Sequence, residues 1–84
     1  MEDLIEIGRI THYYSKIGVA VIYLKGQLKI GDTIVVKGST TSLEQTVDSM
    51  EMEHANVEMA ASGQSVGLKM QGKVRENDTV YRKQ

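Results

Sequence analysis

GQLKIGDTIVVKG, residues 26–38, sets three of the chain's eight glycines around a short apolar run, in a sequence with no proline at all. Glycine serves where the backbone takes φ > 0 or passes very close to a neighbour. Gly26, a loop carrying Leu28 and Ile30, and Gly31-Asp32 opening Thr33-Ile34-Val35-Val36 read as strand entry, tight turn and strand. Whether this turn is scaffold or site depends on the residues around it.

Outward from that stretch, the chain reads as short strands. Ile34 and Val36 alternate with their neighbours, and Val66, Leu68 and Met70 alternate with Gly67, Lys69 and Gln71, the period of two of a half-buried strand. Ile5 and Ile7 share a face, whereas Ile10, His12 and Tyr14 belong to the other. Gly8 is suited to host a β-bulge between them. Val47 is likewise out of phase with Met50 and Met52. Residues 17–24, IGVAVIYL, are apolar throughout, as expected of a strand covered on both sides or covered by a neighbouring molecule. Only NVEMAAS, 56–62, has the composition for a short helical turn, with Asn56 as N-cap and Gly63 as stop.

With turns at 15–16, 26, 31–32, 38–42, 63–64 and 77–78, the expectation is one all-β domain, 1–84, standing alone. It is a small closed barrel of six strands, since closure removes exposed edges. Ile7, Ile34, Val36, Val47, Val66, Leu68 and Met70 are expected inside.

Composition narrows the function. A domain of 84 residues buries only about 60% of its unfolded surface, which leaves little room for a deep cleft. The absence of cysteine removes disulfides, thiolate metal sites and cysteine nucleophiles. MEDLIEIG lacks the basic-then-apolar layout of a secretory signal, and the longest apolar run is far shorter than the ~20 residues of a membrane helix. A cytoplasmic, monomeric domain away from membranes is expected. Net charge −1 and pI ≈ 6.1 argue against nonspecific coating of nucleic acid. The charges are nevertheless segregated. Glu44, Asp48, Glu51, Glu53 and Glu58 fall in 43–59 without a Lys or Arg, and Lys69, Lys73, Arg75, Arg82 and Lys83 follow.

Catalytic patterns fare poorly. GLKMQGK, 67–73, matches a phosphate-loop pattern up to its last position, where Val74 has no hydroxyl for magnesium, and its interior reads as a strand. His12 and His54 lie far apart, outside any ligand-spaced cluster. Glu51 and Glu53 share a strand face, which solvation explains better than chemistry does. No catalytic residue, metal, cofactor or nucleotide is expected.

Gly26 to Asp32, then Val47 to Met52 (VDSMEM), then Ala60 to Leu68 (AASGQSVGL) with Gly72, resemble domain two of the translational GTPases, the elongation factor Tu group. IGRITHYYSKIGVAVIYLKGQLKIGDTI with KVRENDTVY, Ile7 to Tyr81, resembles the small C-terminal barrel of the collagenase-like peptidase family. Both resemblances imply an accessory barrel without the GTPase or catalytic domain that relatives carry, and make the glycines of 26–38 scaffold. The first implies contact with the terminal adenosine of tRNA through Glu51, with His54 near a basic position; Lys69 stands where the family is usually apolar beneath the adenine.

Two functions follow. One is a noncatalytic barrel docking on tRNA or rRNA through Glu51, His54 and Lys69, with tyrosines such as Tyr13, Tyr14 or Tyr23 stacking on bases. The other is a protein-docking module for a separately encoded catalytic or GTPase chain, through IGVAVIYL or the acidic 44–58 region.

Overall fold

The computed structural model describes residues 3–84 and consists of strands and turns. The strands are β1 Leu4–Tyr14, β2 Val19–Leu24, β3 Leu28–Lys29, β4 Thr33–Lys37, β5 Ser42–Thr46, β6 Met50–Met52, β7 Ala55–Val57, β8 Met59–Ala60, β9 Ser65–Lys69 and β10 Thr79–Lys83. Eight form one sheet in the order β5-β4-β10-β1-β2-β9-β6-β7, and β3 pairs with β8 as a separate ribbon. Every pairing is antiparallel.

The all-β expectation holds, but the six closed strands do not. Ten strands are present among the described residues. The additional ones, such as β3 and β8, are too short to show alternation in sequence. The main sheet is open, with β5 and β7 at its ends. It curls far enough for the Gln45 side chain to span the seam. Gln45 Nε2 donates to the Lys69 carbonyl at 2.8 Å, and the Gln71 N–H donates to Gln45 Oε1 at 2.8 Å. An amide side chain thus stands where a backbone ladder would close a barrel.

The helical turn expected at 56–62 is absent. Asn56 and Val57 pair with Glu51 and Met50, while Met59 and Ala60 pair with Lys29 and Leu28. So short a segment gains more from cross-strand pairing and from burying Ala60 than from its weak helix propensity.

The bulge at Gly8 is present. The β1–β10 register shifts between Glu6 and Gly8, and the β1–β2 register shifts again between Ile10 and His12. A Cβ at Gly8 would stand 2.3 Å from the Tyr23 carbonyl oxygen, so only glycine fits there. Val47 is out of phase for a different reason. The chain leaves the sheet after β5, and Val47 bonds to the turn before β4, donating to Asp32 O and accepting from Gly31 N. Gly31, at φ 94, makes that turn, as its scaffold reading required.

All seven expected core residues are buried. They join Ile10, Ala20, Ile22, Leu24, Leu28, Met50 and Val80 in one aliphatic cluster to which the main sheet and the β3–β8 ribbon both contribute.

Candidate functional site

The apolar stretch 17–24 resolves into two rows. Ala20, Ile22 and Leu24 point inward at 0% exposure. Val19 and Val21 are half-buried and Tyr23 is exposed on the opposite face, as a strand's two-residue period dictates. The cross-strand register builds a surface around this outer row. Tyr23 lies between Arg9 and Ser65, Val21 between His12 and Gly67, and Val19 between Tyr14 and Lys69. Tyr14 leans on His12, their ring centroids 4.3 Å apart, and Ile17 in the β1–β2 turn is 58% exposed. No strand of the described residues covers this row, although its chemistry is that of a core strand.

Next to the row, Glu51 and Lys69 line one groove. Glu51 pairs with Gly67, two residues before Lys69 on β9, so the two side chains stand diagonally on one face. With Ile17, Val19 and Ser49 they flank a groove of about 250 Å³. Gly67 also lines it. A Cβ there would make only an ordinary contact with Val19 at 3.5 Å. His54 is not part of this groove. It sits with Glu53 in the β6–β7 turn, at φ 66 and 53, and is exposed. Of the three residues expected from the sequence, the fold brings two together and sets the third at a hairpin tip.

The phosphate-loop lookalike begins in β9, with Gly67 and Lys69 in the ladder, and no helix follows it among the described residues. Among the described residues, no three His, Asp or Glu side chains are placed to hold a metal ion. Among the described residues no helix is long and apolar enough to cross a membrane. Sequence reasoning missed Gly67, whose only signal was a glycine inside a clean alternation. The sequence named Tyr13 and Tyr14 together without deciding between them; after the second bulge Tyr14 faces out and Tyr13 packs against the core.

The comparisons carry the second of the two resemblances drawn from the sequence. Over 78 residues, 92% of its length, the chain is 50% identical to an uncharacterized protease of Methanocaldococcus jannaschii. Over 80 residues it is 39% identical to a collagenase of Porphyromonas gingivalis. Its homologues include collagenase-like proteins. The chain spans 19% of the length of each of these two relatives. In three dimensions it superposes with TM-score 0.86 on the C-terminal domain of a Geobacillus thermoleovorans protein described as a U32 peptidase. That match has 18% identity and covers 94% of this chain and 91% of that one. A selenomethionine form of the same domain gives 0.84. The likeness to these structures is one of fold. No family model matches the chain.

Proposed function

We propose that this domain is a noncatalytic docking module for the catalytic part of a collagenase-like peptidase, bound through the outer row of β2. The observation that carries the reading is the uncovered apolar row Val19-Val21-Tyr23, extended by Ile17, on a sheet whose other face is already filled by core. Contiguous exposed apolar surface on a small domain marks an interaction site. The coverage of the relatives supports the choice of partner. In them a homologous segment is continuous with about four times its own length of further chain, available to lie against this face.

The test uses the Methanocaldococcus jannaschii relative produced without its homologous segment, titrated calorimetrically with this chain. Binding should persist as salt rises and show a negative heat-capacity change, the mark of apolar burial. Val21→Glu should abolish it while the free domain stays folded, because Val21 is only half-buried. Equal binding by the variant and the parent chain would remove this reading.

RNA docking is the second reading, favoured by Glu51 and Lys69 flanking one groove. It differs in its salt response. Each phosphate contact contributes roughly 0.7–0.9 to the slope of log affinity against log salt. Titration of tRNA against the parent chain and Lys69→Ala at several salt concentrations should show a flatter slope in the variant. Absence of binding by both would leave protein docking alone.

A further inference from the structure

At the base of the β6–β7 hairpin the β5–β6 and β7–β8 connections diverge, leaving a groove of about 770 Å³. That volume is within the range of roughly 300–1,000 Å³ typical of ligand sites. Its apolar lining comes from Ile30, Met50, Val57 and Met59, with Ile30 38% and Met59 55% exposed. Asp48 and Glu58 also line it, against a single base, Lys29. The surrounding segment 43–59 carries five acids and no Lys or Arg. The groove is therefore apolar within and anionic at its margin.

One wall offers backbone as well. β7 ends the main sheet, and its register with β6 is Met52↔Ala55, Glu51↔Asn56 and Met50↔Val57 around the two-residue turn Glu53-His54. Positive φ at both turn residues is the pattern of a tight type I′ hairpin, in which the closing pair exchanges hydrogen bonds. Pairs then alternate, so Glu51↔Asn56 is the non-hydrogen-bonded pair and Asn56 turns its N–H and C=O away from β6. Asn56 lines the groove. A donor and an acceptor thus stand at the sheet edge beside an apolar floor.

We propose that this groove binds an extended peptide segment in which apolar residues alternate with Lys or Arg, added as a strand to β7. The two-residue period of such a segment sends its apolar set onto Ile30, Val57 and Met59 and brings its basic set within reach of Asp48 and Glu58. The flexible thioether of Met59, which accepts a hydrogen bond from Gln27 Nε2 at 2.8 Å, lets the floor adapt to different apolar side chains. The carboxylates select a basic peptide over an acidic one, and disfavour a phosphate backbone. No residue of the outer β2 row lines this groove, so the inference is independent of the docking reading.

The experiment is a fluorescence-anisotropy titration of the intact chain with a labelled short peptide alternating Val and Lys. A Val–Glu counterpart and two N-methylated Val–Lys peptides complete the set, one methylated at the Val amides and the other at the Lys amides. The Val–Lys peptide should bind and the Val–Glu peptide should not. One methylation pattern should abolish binding and the other spare it, because only one set of amides faces β7 and slippage by one residue would flip every side chain. Glu58→Lys should weaken binding roughly tenfold with an unchanged circular dichroism spectrum. Failure of the Val–Lys peptide to bind, equal binding of the two charge types, or indifference to both methylation patterns would each overturn the proposal.

Discussion

Gly38 shows how far a single residue is constrained by a partner forty positions away. A Cβ built on it would stand 1.9 Å from Asp78 Oδ1 and 2.7 Å from its Cγ. Asp78 cannot swing aside without loss, because it is buried and its Oδ2 accepts the Arg75 N–H at 2.9 Å, bracing the turn before β10. Gly38→Ala should therefore destabilise the domain by about 1–3 kcal/mol, the usual cost of overpacking. A lower urea midpoint at unchanged slope would report it. Adding Asp78→Ala should cost less than the sum of the two single changes, since the clash disappears with the carboxylate. The glycine itself was legible as scaffold from GQLKIGDTIVVKG. Its reason was not, because local sequence contains no trace of Asp78.

At the scale of elements, the seam between β5 and β9 is the feature that periodicity could not reveal. Gln45 lies within a strand of alternating exposure and is 7% exposed, a polar residue at an inward position. Its amide satisfies the Lys69 carbonyl and the Gln71 N–H together. Gln45→Leu would keep the volume but strand both backbone groups, at a cost of about 1–3 kcal/mol. Hydrogen exchange should locate the damage, with faster exchange at the Gln71 amide and little change in the β1–β2 hairpin. Uniform acceleration across the sheet would contradict a local seam. The misread helical turn at 56–62 has the same origin. Composition described those residues in isolation, and the pairing of β7 with β6 and of β8 with β3 decided their conformation.

For the molecule as a whole, stability rests on one aliphatic cluster without Phe or Trp. Val66, 1% exposed and paired with Ile22 across β9 and β2, sits within it. Val66→Asp places an unpaired carboxylate there, at a cost of several kcal/mol against a total stability of about 5–15. The variant should be unfolded at room temperature by circular dichroism, in contrast to Val21→Glu on the outer face of the adjacent strand. Opposite outcomes for two apolar-to-acid changes, one on each face of the sheet, would confirm which face is core.

Local sequence was enough for the all-β class, the seven core positions, the bulge at Gly8 and the glycine-marked turns, because each depends on local backbone chemistry or on a two-residue period. It also supplied the likeness to collagenase-like proteins. It did not show the Glu53-His54 turn, which reads as the continuation of a strand. Tertiary structure alone decided that the sheet stays open and is sealed by Gln45, and that Glu51 and Lys69 share a groove while His54 does not. It alone left the outer row of β2 uncovered. These features follow from strand order and register, which are set by the mutual burial of segments distant in sequence and leave no periodic mark on any one of them.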